Sequence, residues 1–240
     1  MRNSMIIIPT AIIAALPATS QAGIEKEPHF DTYFYVEDGR IKTGAILEED
    51  AGTVGGPDPF IENVRIFGAE MGEEFPNFAD EPGFDSEQSL FPGGTTSLGF
   101  RIIGALQEWD GSGFVPTVST IDIEYLANPA ATTPADRTDI VNGFTADFLP
   151  DGTFHTHFDY TLNTPSTGIF MLALSMYAPG SDVAPSHPFY YVFNNGLDEE
   201  DHEAAIEFAE ANVPAPGAGA ILALTGALAA SRRKRTNCSA

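Results

Sequence analysis

The chain has 240 residues, with 34 acidic side chains against 11 basic ones, a formal net charge of −23 and a single cysteine. So negative a body repels phosphate backbones and anionic lipid head groups, which excludes nucleic acid as a partner. The lone Cys238 excludes an intramolecular disulfide framework, while 43 % hydrophobic residues with 18 Phe exclude a disordered chain.

At the N-terminus, Arg2 precedes an apolar run over residues 6–16, and Ser20-Gln21-Ala22 places small side chains three and one positions before a cleavage point. That is the layout of a signal peptide, so residues 1–22 are assigned to export and removal by signal peptidase. Pro9 and Pro17 would break a core helix but are tolerated in such a leader. Every acidic residue lies between the two chain ends, where only Lys26, Arg40, Lys42, Arg65, Arg101 and Arg137 are basic. The body is therefore more acidic than the whole chain.

Strand patterns dominate that body. Residues 32–37 and 40–47 alternate around Asp38-Gly39, a two-residue hairpin signal because both turn positions need positive φ. Further strands are expected over 61–70, 97–109, 115–126, 144–149, 153–162, 168–178 and 189–193, punctuated by Gly- and Pro-rich turns. Residues 72–92 are rich in Pro, Gly and acid and read as one long loop. Trp109 is expected in the core. Strands that recur without intervening helices predict an all-β fold, an antiparallel β-sandwich with Greek-key, jelly-roll-like connections.

One helix follows. Asp198 is placed to cap it, Glu199-Glu200-Asp201 suit the positive end of its dipole, and Ala204 to Ala211 supply helix formers with an apolar stripe. It is expected to end before Pro214 and to serve as a stalk or lid. The chain then runs Val213-Pro214-Ala215-Pro216-Gly217, an uncharged apolar stretch, and Arg232-Arg233-Lys234-Arg235. The thirteen residues 218–230 cover about 20 Å as a helix against roughly 30 Å of hydrocarbon, a span better suited to transient than to permanent anchoring. The basic cluster would stay on the cytoplasmic side.

Short rigid motif, apolar run and basic end in this order resemble the PEP-CTERM sorting domain, with Ala215 where that family usually carries Glu. The resemblance implies processing near Pro-x-Pro by an exosortase, an integral-membrane cysteine transpeptidase. It implies an inner-membrane-anchored intermediate and a final place at the cell surface or outside the cell, near an extracellular polysaccharide matrix. The chain thus divides into a signal peptide over 1–22, a β domain over 23–196, a helix over 197–212 and a sorting segment over 213–235. The membrane helix of that last segment spans 217–231.

One strand carries a legible site. Period-two alternation over 153–162 puts Phe154, Phe158, Tyr160 and Leu162 on one face and His155, His157, Asp159 and Thr161 on the other. His155 and His157 stand roughly 6.6 Å apart by strand rise, so both imidazoles face the same side. His29 and Asp31 repeat the pattern at the start of the first strand. If the two strands adjoin, His29, Asp31, His155, His157 and Asp159 form a nitrogen and oxygen ligand set suited to zinc. Acidic loops at Glu48-Glu49-Asp50 and at Asp80, Glu81 and Asp85 are a weaker calcium candidate, since no spacing matches an EF-hand.

No Gly-x-Ser-x-Gly, Walker or His-Glu-x-x-His motif occurs, so a non-catalytic role is expected. The alternative is a secreted hydrolase using a carboxylate pair drawn from Glu108, Asp110, Asp122 and Glu124. Further short blocks comprise His29-Phe30-Asp31, Asp80 with Pro82-Gly83-Phe84-Asp85, Trp109-Asp110-Gly111 and Pro188 to Asn194. Together with the His-x-His strand they resemble a set of uncharacterised exported PEP-CTERM proteins, some of them zinc-responsive.

Overall fold

The structure, a computed structural model, describes residues 30–47, 60–126, 128, 130–164 and 166–213. The signal-peptide assignment, His29, the Glu48-Glu49-Asp50 cluster and the sorting segment beyond Val213 lie outside the described residues. Among the described residues, no helix is long and apolar enough to cross a membrane.

Among the described residues the fold is mostly β, in three sheets with one α-helix. The first sheet is built on the hairpin of β1 (Phe30–Glu37) and β2 (Arg40–Leu47), whose register pairs Glu37 with Arg40. Asp38 and Gly39 adopt φ of 52° and 72°, as the turn chemistry requires. Beyond β2 lies β3 (Phe60–Glu62). On the other side of β1 run β6 (Phe84–Glu87) and then β13 (Thr153–Thr156).

The second sheet orders β11 (Ala131–Thr132), β10 (Ile121–Glu124), β14 (Asp159–Leu162) and β5 (Phe78–Ala79). The third runs β12 (Ile140–Asp147), β7 (Ser97–Ile103), β15 (Gly168–Tyr177), β16 (Phe189–Asn195) and β4 (Ile66–Glu70). A side branch of β8 (Gln107–Trp109) and β9 (Phe114–Pro116) joins it through β15.

Most ladders are antiparallel, but β1 with β6 and β16 with β4 pair in parallel, a departure from the wholly antiparallel expectation. Four long expected strands are each interrupted. Residues 115–126 divide into β9 and β10, with 117–120 outside any strand. Residues 61–70 break at Asn63 (φ 62°), residues 97–109 break at Gly104 (φ 78°), and residues 153–162 break at His157 and Phe158. Residues 72–92 are not one loop either, because they contain β5 and β6.

The main core gathers buried side chains from all three sheets. Phe84 is its hub: the ring is fully buried and meets Phe158 at 4.8 Å, Phe34 at 5.1 Å, Phe189 at 6.0 Å and Phe100 at 6.2 Å between centroids. Edge-to-face geometry adds to the area each ring removes from water, which is itself worth roughly 1.5–3 kcal/mol per large side chain. A central β6 thus exists because its alternate residues, Phe84 and Ser86, are buried between the sheets.

The helix α1 (Glu199–Asn212) is capped as the sequence predicts, with the Asp198 carboxylate accepting from the Asp201 N–H. Its Ala205, Ile206 and Ala209 pack on Ile66, Ile169, Met171 and Val192 of the third sheet, forming a second, smaller core. Trp109 is half-buried at the rim of that cluster, not in the main core, with its ring 5.2 Å from Phe208 of α1.

Candidate metal centre

The site forms where the first sheet hands the chain to the second. His155 is on β13, and its neighbour across the ladder is Asp85 of β6, which in turn pairs with Tyr33 of β1. Asp31 is two residues before Tyr33 on the same face of β1, so His155, Asp85 and Asp31 come together. His157 sits just past β13, at the point where the chain leaves β6 and turns to join β10 through β14. That break draws the two imidazoles closer than an unbroken strand would: their Nε2 atoms are 3.1 Å apart.

Each imidazole is oriented through its other nitrogen. His155 Nδ1 lies 3.1 Å from Asp85 Oδ2 and 3.2 Å from Asp31 Oδ2. His157 Nδ1 lies 3.3 Å from Glu81 Oε1 and 3.3 Å from the Asp80 carbonyl. These acceptors call for an Nδ1–H on both rings, and the two Nε2 atoms face a common point where they share a proton carried by one of them, which a metal ion would displace. Asp31 Oδ2 is 3.9 Å from His157 Nε2. Ligand atoms of Asp31, His155 and His157 all fall within 4.8 Å of one another.

The segment between β5 and β6 is fitted to this cluster. A Cβ on Gly83 would stand 2.5 Å from Asp31 Oδ1 and 3.1 Å from His157 Cε1, so only glycine passes there. The Gly83 carbonyl accepts from the Thr32 N–H at 2.9 Å, and the Tyr160 hydroxyl donates to the Pro82 carbonyl at 3.3 Å. Thr32 Oγ1 and the Tyr191 hydroxyl share a further bond of 2.7 Å. Burial drives the Tyr160 and Tyr191 hydroxyls well above their usual range, so both stay neutral and serve as polar pins.

Electrostatically the site is acidic. Asp31, at 1 % exposure, would be costly to bury without compensation, and Glu81 and Asp85 add two more carboxylates around only two imidazoles. The hydrogen bond to Glu81, reinforced by the Asp31 charge and opposed by burial, pushes His157 up to about 9. His155 remains open, with its side chain 43 % exposed.

Of the residues expected to bind zinc, Asp31, His155 and His157 are brought together. Asp159 is exposed on β14 opposite Glu124 and is not among the converging ligand atoms. His29 lies outside the described residues, as do Pro214 through Arg235 of the sorting motif. Val213 closes α1, its N–H donating to the Ala209 carbonyl.

Glu81 and Asp85 join the site although the sequence reading assigned them to a separate acidic loop. The alternation of buried Phe84 and Ser86 with the outward Asp85 was the available signal. Of the carboxylates considered for hydrolysis, Asp110 caps the Ser112–Gly113 turn, Glu108 accepts from Thr117 and Asp122 from Thr132. No protein-family model, curated protein or solved structure matches the chain.

Proposed function

We propose that this protein is an exported, non-catalytic metal-binding protein that takes up zinc through Asp31, His155 and His157. The observation that carries this reading is the paired orientation of the two imidazoles, each held through Nδ1 by a carboxylate with its Nε2 aimed at the other. Carboxylate–histidine–metal arrangements of this kind raise ligand basicity and fix ring orientation. Tetrahedral zinc with bonds of about 2.0–2.1 Å sets neighbouring ligand atoms roughly 3.3 Å apart. The separations of 3.1 Å between the two Nε2 atoms and 3.9 Å from His157 Nε2 to Asp31 Oδ2 bracket that value. The mixed nitrogen and oxygen donors suit zinc better than calcium, which prefers six to eight oxygens.

In the proposed complex Asp31 leaves His155 Nδ1 to Asp85 and turns to supply the oxygen, His155 and His157 supply Nε2, and water completes the shell on the open side of His155. Asp85 and Glu81 stay in the second shell. An open, carboxylate-rich site of this kind favours capture and release of the ion over chemistry on a substrate. The β sheets are read as a sandwich with Greek-key connections that carries the site on an outer sheet face. Export by the leader and sorting by the exosortase-type tail, with the domain displayed in or released from the membrane into the surface matrix, complete the reading.

Titration of purified, chelator-stripped protein with Zn²⁺ by calorimetry tests the metal assignment. The expected result is a saturable heat from which His155→Ala and His157→Ala each remove one equivalent, and a stoichiometry unchanged in both variants overturns the assignment. Heat indistinguishable from the buffer blank overturns it. Fractionation tests the export assignment: intact, untrimmed protein in the soluble cell interior overturns that part alone.

A further inference from the structure

A second group of ligand-type side chains lies away from this site, under the first turn of α1. Glu70 ends β4 at the edge of the third sheet, and Glu199 and His202 lie three residues apart on α1, a spacing that sets both on one helix face. We propose that Glu70, Glu199 and His202 form a second divalent-cation site, suited to zinc, that fastens α1 to the sheet edge.

The local construction is that of a ligand site with its outer shell in place. His202 is 1 % exposed, and its Nε2 lies 2.9 Å from the Val192 carbonyl of β16. That bond fixes one ring proton on Nε2, so Nδ1, which donates its own proton to Glu70, is the nitrogen a metal ion would take by displacing that proton. Nδ1 points at Glu70 Oε1, 3.0 Å away. A tetrahedral zinc between them needs about 3.3 Å, an opening of a few tenths of an ångström.

Glu70 is itself oriented by Asn194, whose Nδ2 donates to Oε1 at 3.2 Å and to the Leu197 carbonyl at 3.0 Å. Ligand atoms of Glu70, Glu199 and His202 all lie within 4.8 Å of one another. Glu199 is exposed, which leaves the ion a route in and room for a water ligand.

Charge points the same way. Asp198, Glu199, Glu200, Asp201 and Glu203 crowd one helix end beside Glu70, and α1 carries no basic residue in its last turn. A dipositive ion relieves that crowding more fully than a single imidazolium does. The metal would join two elements otherwise held by a small apolar cluster and the bonds of His202 to Val192 and Glu70, so its effect falls on the docking of α1.

The chain's only tryptophan reports that docking, because Trp109 packs on Phe208 of α1. The test is a Zn²⁺ titration of the full chain carrying His155→Ala and His157→Ala, followed by calorimetry and Trp109 emission. One equivalent is expected to bind, with a change in emission and a higher urea midpoint for the Trp109 transition. Adding Glu199→Gln, an exposed and conservative change, should weaken that binding about tenfold or more while leaving the metal-free circular dichroism unchanged.

Absence of binding in the folded double variant overturns the proposal, and so does undiminished affinity with Glu199→Gln. Should the double variant fail to fold, Glu199→Gln alone decides. The chain that keeps both histidines should then bind one equivalent where the parent binds two, and an unchanged stoichiometry and affinity overturns the site.

Discussion

Gly83→Ala is the sharpest probe of the proposed centre, because the added methyl would press on two of its ligands, Asp31 foremost. The φ of Gly83 lies outside the left-handed region, so alanine meets no backbone penalty there. The added methyl would instead stand 2.5 Å from Asp31 Oδ1 and 3.1 Å from Asp31 Cγ. Neither partner yields easily: Asp31 is buried at 1 % exposure, and Gly83 is tied to β1 through the Thr32 N–H.

Overpacking of this kind costs roughly 1–3 kcal/mol. For a domain of this size each kcal/mol lowers Tm by about 2–4 °C, so a fall of roughly 2–12 °C is expected in metal-free protein. Zinc affinity should drop as well, since the carboxylate that moves is a proposed ligand. The decisive measurement is a double-mutant cycle by urea unfolding. In an Asp31→Ala background only the milder 3.1 Å approach to His157 Cε1 remains, and the cost of Gly83→Ala should fall by at least about 0.5 kcal/mol. Equal costs in the two backgrounds would falsify the placement of Asp31 against Gly83.

Three further outcomes are expected. Glu81→Gln removes the charge that orients His157 through Nδ1 and should weaken Zn²⁺ binding by about 10–100-fold in calorimetry, with the fold unchanged by circular dichroism. His157 is raised from 6.5 to about 9 in the folded chain, so its contribution to metal-free stability is complete below pH 6.5 and is lost as pH rises through 9. Urea midpoints should therefore fall between those values in the parent more than in His157→Ala. Phe84→Ala empties the centre of the main core and should cost about 3–5 kcal/mol; a loss below 1 kcal/mol by the same assay would contradict the hub role of this ring.

Local chemistry made some of this architecture legible and hid the rest. The Asp38-Gly39 turn and the Asp198 cap are decided by neighbours in the chain, and both stand where the sequence places them. The break at His157 and Phe158 was invisible because burial alternates without interruption from Phe154 to Leu162, even as the pairing partner changes from β6 to β10. β6 was hidden by composition: Pro82, Gly83 and the surrounding acids read as loop. Parallel pairing with β1 is set by packing of Phe84, not by local pattern. The site follows the same division. The shared face of His155 and His157 was readable, whereas Glu81 and Asp85 come from a segment whose fold depends on distant contacts.

The crossing of the backbone at His157 has a mechanical meaning. One imidazole belongs to the first sheet, while the other is buttressed by Asp80 and Glu81, immediately after a strand of the second. An ion gripping both rings would act as a rivet through that seam, obliging the two layers to open together. Without it, the short strands β5, β10, β11 and β14 would be held to the first sheet by the shared core alone. Zinc loading would then register as slower amide exchange in those strands, some of them remote from any ligand.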